Sequence, residues 1–145
     1  MYFKNVQPRL RLAVLLSGLL AAGAVSAEVV VIVGKSGPDA MTKEQVSDVF
    51  MGKAASLPGG AAAAPQDQAE SSPLRDEFYS KVTGKTAAQA KAYWSKLAFT
   101  GKGTPPPEVA NSAAVKKAVA ATPGGIGYIE KAAVDGTVKV VLTVQ

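Results

Sequence analysis

Among its 145 residues the chain has no cysteine and no histidine. The first absence removes disulfides, thiol nucleophiles and Cys/His zinc sites. The second removes the imidazole base on which a Ser-His-Asp triad depends. Most nucleophile-plus-base chemistry is thereby excluded, and the chain is expected to be no enzyme and to need no cofactor. Aromatic residues make up 6% and nowhere alternate with a basic stripe, so nucleic acid is not an expected partner. A hydrophobic run long enough to cross a membrane is also missing. The apolar stretch from Leu12 to about Ala24 has 13 residues, against the roughly 20 that a spanning helix requires.

That short run has a different meaning. Lys4, Arg9 and Arg11 precede it, and the small residues Val25-Ser26-Ala27 follow. Basic region, apolar core and small-residue cleavage site together form a secretory signal. Residues 1–27 are therefore expected to be removed after Ala27, leaving a single domain, 28–145, in the periplasm or outside the cell. With no cysteine after the apolar run, lipid attachment is unavailable, and no membrane partner is expected once the signal is gone. The net charge of +5 belongs mostly to the signal, which holds three basic residues and no acidic one. In an exported chain without disulfides, stability must come from the core alone.

The remainder alternates strand and helix signals. Glu28–Val33 (EVVVIV) is a β-branched run suited to a central strand covered on both faces. Thr42-Lys43-Glu44-Gln45 is a capping box, followed by an apolar face of Val46, Val49 and Phe50 that stops at Gly52. Ser72-Pro73 opens a second helix with Leu74, Phe78 and Val82 at four-residue spacing. Thr86–Gln89 opens a third, whose apolar set is Tyr93, Trp94, Leu97 and Phe99. The Gly/Pro density from Gly101 to Pro107 forces a loop. Ser112 is expected to cap a fourth helix, with Val115 and Val119 inward. Gly124-Gly125 then turns the chain into Ile126–Ile129, and Val138–Val144 is the final strand. Ala61–Ala64 is a weaker strand candidate. Strands at both ends with helices between them indicate an α/β layer structure.

Three of these segments, in this order, resemble a known family. They are Thr42–Lys53 (TKEQVSDVFMGK), Asp67–Phe78 (DQAESSPLRDEF) and Gly124–Glu130 (GGIGYIE). Together they look like the phosphate-binding protein of phosphate ABC transporters, over about Val29 to Leu142. The full family protein is a two-lobed clamshell around one phosphate. The resemblance implies a single lobe of that periplasmic-binding-protein-like fold, a mixed sheet flanked by about four helices. In the family an arginine stands four residues before a Ser-Gly-Thr whose helix amides hold phosphate oxygens. Here Ser71, Ser72 and Pro73 occupy the Ser-Gly-Thr positions and Asp67 the arginine position. Proline removes one amide donor and one hydroxyl, and aspartate exchanges a bidentate cation for an anion.

Each candidate residue has a functional and a structural reading. Ser71 and Ser72 fit an anion at a helix start, although capping alone accounts for them. Arg75, one turn in, could reach that anion or pair with Asp67 or Glu70. Asp67 and Glu70 lack the convergent ligands of a Ca²⁺ site or the groove of a glycosidase, and are expected in a solvated loop. Tyr93 and Trp94 with Leu97 and Phe99 could form a partner-binding surface, or, since adjacent positions cannot both face inward, a core residue and its rim. Gly124–Gly127 precedes a strand, the wrong order for a dinucleotide fingerprint. Two functions follow as expectations. One is an exported, non-catalytic solute-binding domain holding phosphate or a related oxyanion weakly at Ser71, Ser72 and Arg75, in company with an ABC transporter. The other is an interaction module that has lost the anion and recognises another envelope protein.

Overall fold

A computed structural model describes residues 28–145. The secretory signal read at 1–27 lies outside the described residues. The β-branched run forms strand β1, Val29–Gly34, at the interior of a four-stranded sheet. On one side it pairs antiparallel with β5 (Gly125–Glu130), and on the other with β6 (Val138–Thr143). The two-residue β2 (Ala64–Pro65) adds parallel to the far side of β5, giving the order β2-β5-β1-β6. A β-bulge between Val31 and Ile32 adjusts the register of β1 against β6.

Alternation along β1 divides the core between the two faces of the sheet. Val29, Val31 and Val33 join Ile126, Tyr128 and Val141 in the larger cluster. Helices α1 (Lys43–Phe50), α2 (Pro73–Phe78) and α3 (Ala87–Phe99) supply Phe50, Phe78 and Ala90 to it. Val30, Ile32 and Ile129 face the other way, where α4 (Ser112–Ala121) covers them with Val115 and Val119. The sheet is thus mixed, and four helices flank it. None of the described helices is long and apolar enough to cross a membrane.

Both threonine capping boxes form. Thr42 and Gln45 exchange bonds of 3.1 and 2.9 Å, and Thr86 and Gln89 do the same. Three local expectations differ. Ser112 is the first residue of α4, and the cap is Asn111, whose side chain accepts from the Ala114 amide at 3.0 Å. Asparagine fills this role as well as serine does. The weak strand falls at Ala64–Pro65, while Ala62 only bridges to Ser56. Phe99, counted with the apolar set of α3, is 94% exposed at the last residue of the helix.

Past Phe78 the second helix continues as one π-helical turn, Tyr79–Thr83, and Gly84 ends it with φ +71°. The turn allows two adjacent aromatics to be buried at once. Phe78 stacks on Tyr128 at 4.2 Å between ring centroids, and Tyr79 turns toward a second, two-stranded sheet. That small parallel sheet joins β3 (Asp67–Gln68) to β4 (Glu108–Val109) and carries the polar residues of interest.

Candidate functional site

Of the three residues expected to bind an anion, Ser71 and Ser72 share one concavity while Arg75 lines others. Ser71 is exposed in the turn before α2. Ser72 is the N-cap by backbone conformation, followed by proline at the first helical position, but its hydroxyl makes no cap bond. That hydroxyl donates instead to Gln68 Oε1 at 2.8 Å. Arg75 is 5% exposed and turns inward, away from the helix start. Its Nη1 donates to the Gln68 carbonyl at 2.8 Å and to Glu108 Oε1 at 2.6 Å, and Nη2 lies 3.8 Å from Asp67 Oδ2. Burial works against the Arg75 charge, but Glu108 and Asp67 outweigh it and raise its pKa.

Asp67 is not in a solvated loop. It is 3% exposed, in β3, and both its carboxylate oxygens are engaged. Tyr79 donates to Oδ2 at 2.6 Å, and Tyr128 donates to Oδ1. A carboxylate can be buried at modest cost when donors and a cation surround it, and Arg75 completes the set. Glu70, its companion in the loop reading, is exposed as expected and pairs with Lys91. Gln68 ties the neighbourhood together, its Nε2 donating to the Ser112 hydroxyl at 3.1 Å and to the Tyr128 carbonyl at 2.8 Å. Gln68, Tyr79, Glu108 and Tyr128 went unnoticed in the sequence as members of one cluster. Residues 12 and 61 positions from Asp67 carry no local pattern that would link them to it.

Burial, and then the Asp67 carboxylate, push both phenols well above the ordinary tyrosine value. Each folded-state pKa is raised, so the stability that depends on the neutral phenols is complete below about pH 10 and falls as pH rises further. The midpoint of urea unfolding should therefore hold from pH 7 to 9 and drop steeply above about pH 10. A Tyr79→Phe/Tyr128→Phe double variant should show a lower midpoint at pH 7 and a shallower fall in alkali.

Of the concavities that adjoin the cluster, one of about 330 Å³ is lined by Arg75 with Glu70, Asp76 and Lys91, and two others carry the remaining candidates. A shallow one of about 420 Å³ lies between the starts of α2 and α4, lined by Ser71, Ser72, Asn111, Ser112 and Glu130. The Ser112 hydroxyl already donates to the Glu130 carboxylate there. The second, about 220 Å³, lies between α3 and the loop 101–107. Asp67, Arg75 and Tyr79 line it together with Trp94, Pro105 and Pro106. Trp94 is buried and donates to the Phe50 carbonyl at 3.0 Å, while Tyr93 sits at the rim, donating to the Met51 carbonyl at 2.8 Å.

No family model and no curated protein matches the sequence. Solved structures do match in shape. A protein from Clostridium perfringens, described as a phosphate ABC transporter substrate-binding protein with bound phosphate, aligns with a TM-score of 0.64 at 24% identity. An ABC-type phosphate transport receptor from Vibrio cholerae aligns at 0.62 and 18%, and PstS from Borrelia burgdorferi at 0.60 and 15%. The fold is that of one phosphate-receptor lobe. Each alignment covers 79% of this chain but only 44%, 45% and 46% of the three neighbours, so the chain spans under half of their length. These neighbours are solute-binding proteins. The lobe seen here shares their α/β architecture.

Proposed function

We propose that this chain is an exported, non-catalytic receptor-type lobe that recognises another protein of the cell envelope, its oxyanion site closed from within. One observation carries the reading. At the position that the family resemblance gives to arginine stands Asp67, buried and already hydrogen-bonded by two tyrosines. Most of the remaining donors are similarly engaged, Arg75 Nη1 with Glu108 and the Gln68 carbonyl and Ser72 with the Gln68 side chain, while the buried Arg75 Nε has no partner among the described residues. To hold phosphate, the lobe would have to break these bonds, and an unpaired buried group costs about 1–3 kcal/mol. The cleft between α3 and the loop 101–107 is the first surface to test for the partner, an ABC transporter component among the candidates. Its rim residues Ser95, Ala98 and Pro105 are exposed and can be changed without touching the Trp94 anchor.

A second reading keeps Ser71, Ser72 and Arg75 as a weak phosphate site. It is favoured by the shallow concavity at Ser71 and Ser72 and by the likeness to a protein with bound phosphate. A thermal melt of residues 28–145 separates the two. With 10 mM phosphate, against chloride and sulfate at matched ionic strength, the closed-site reading expects no specific shift. A weak site with a dissociation constant of about 1 mM would add about 1.4 kcal/mol, or roughly 5 °C for a domain of this size. A phosphate-specific rise of that order would establish the second reading and remove the first.

A further inference from the structure

Arg75 uses only part of its hydrogen-bonding capacity. A guanidinium carries its N–H donors in a rigid planar fork. Nη1 serves the Gln68 carbonyl and Glu108 Oε1. Along another edge Nε and Nη2 direct parallel N–H groups, the face that pairs with a planar acceptor. Nε is buried, and among the described residues it is the one buried side-chain nitrogen or oxygen without a hydrogen-bond partner. Nη2 has only the Asp67 carboxylate at 3.8 Å, beyond hydrogen-bond reach.

Arg75 lines two cavities, of about 220 and 330 Å³. Its neighbours Asp67, Tyr79 and Glu108 line the smaller one and not the larger. The frame of the smaller cavity is pinned at both ends of the loop 101–107. The Lys102 amide donates to the Leu97 carbonyl, and the Asp67 amide to the Pro107 carbonyl, each at 2.8 Å. Tyr79 joins the wall from a π-helical turn, a form frequent at functional sites. Trp94, Ala98, Pro105 and Pro106 supply apolar lining.

We infer that this cleft binds a neutral amide that carries a short aliphatic group. Size sets the first limit. An apolar cavity of about 150 Å³ takes up a benzene, so this one suits a single group of side-chain size and not a helix. Charge sets the second. Arg75 already faces Asp67 and Glu108, and Lys91, the other cation on the wall, is paired with Glu70. A further carboxylate would add to an excess of negative charge. An amide adds none and offers both hydrogen-bonding functions. Its carbonyl oxygen takes the Nε–Nη2 edge, relieving the cost of an unpaired buried donor. Its N–H is matched by the second oxygen of Glu108, whose first is engaged by Arg75. The aliphatic group then lies against Trp94, Ala98 and the prolines. A peptide unit of the envelope partner proposed above has this chemistry, and that source rests on the partner reading. A free small amide has it as well.

Isovaleramide and isovalerate, alike in shape and different in charge, test this by NMR titration of residues 28–145, which hold the whole described fold. With isovaleramide the Trp94 indole N–H and the Ser95 and Ala98 amides should shift and half-saturate near about 10 mM, the range for so small a ligand. Isovalerate should bind about tenfold more weakly. Ala98→Phe, at an exposed position on the rim, should weaken isovaleramide about tenfold by filling the mouth. That variant should melt within a degree or two of the parent. Arg75→Lys keeps the charge, loses the planar fork and should weaken binding by a similar factor. No saturable shift at 100 mM isovaleramide, isovalerate binding as tightly, or unchanged affinity in Ala98→Phe overturns the inference and leaves the partner reading to its own rim variants. N-acetylvaline methylamide, a blocked peptide unit, separates the sources. Affinity within a few-fold of isovaleramide assigns the cleft to a peptide segment of the partner. Its exclusion while isovaleramide binds assigns the cleft to a free small amide and moves the partner elsewhere.

Discussion

Asp67→Ala is expected to lower the melting temperature of residues 28–145 by about 15 °C. The substitution leaves two buried phenols without their acceptor and removes one of the two carboxylates that face Arg75. Breaking a buried ionic cluster from one side costs about 3–5 kcal/mol, and a domain of this size loses roughly 4 °C per kcal/mol. Asp67→Arg should be worse, since it removes the acceptor of both phenols and sets a second cation beside Arg75. That outcome would show that the receptor's arginine cannot simply be restored. Glu70→Ala is the control, and loss of its solvent-screened pair with Lys91 should leave the melting temperature close to the parent's. If Asp67→Ala melts within about 3 °C of the parent, the closed cluster is not what holds this part of the lobe.

The second large effect is expected at Gly124. Its φ of +74° is one that side chains other than glycine adopt only with strain. A Cβ there would also collide with the Ala62 carbonyl. The collision involves backbone, so no rotamer change relieves it. Gly124 also lies at the seam of the sheet, where its carbonyl accepts the Ala64 amide at 2.9 Å and holds β2 beside β5. Gly124→Ala should therefore cost about 4 kcal/mol or more, read as a fall in the urea midpoint together with faster amide exchange at Ala64 and Gln66. Gly136→Ala, where an added Cβ meets nothing within 4 Å, should lie within about 0.5 kcal/mol of the parent. A Gly124→Ala variant as stable as Gly136→Ala would show that β2 can re-seat without the turn.

Where structure depends on neighbours in the chain, the sequence was readable. The two T-x-x-Q boxes, the run at Val29–Val33 and the Gly-Gly turn each specify their geometry within a few residues, and each stands in the structure as expected. The family resemblance reached further and gave the single-lobe fold, which the likeness to the receptors bears out. The polar centre was not readable. Whether Asp67 is wet or buried depends on Tyr79 and Tyr128, and no spacing rule joins them to it. The β3–β4 pair is two residues on each side, too short to show any periodicity. Ser72 shows why a residue type can suggest the wrong bond, since a serine before a proline is a fitting cap, yet Gln68 four residues earlier takes its hydroxyl.

The position of β1 also bears on how the molecule is made. Both of its partners, β5 and β6, come from residues 125–143, so among the described residues the first strand pairs only with the last two. A ribosome-bound or truncated chain that stops at Pro123 has the segments for every helix from α1 to α4 but no partner strand for β1. Loop closure across most of the domain must precede any pairing of β1, which places the lobe among slow folders relative to helical proteins of its length. Until the last strands arrive, the five apolar residues of β1 remain an open, adhesive edge.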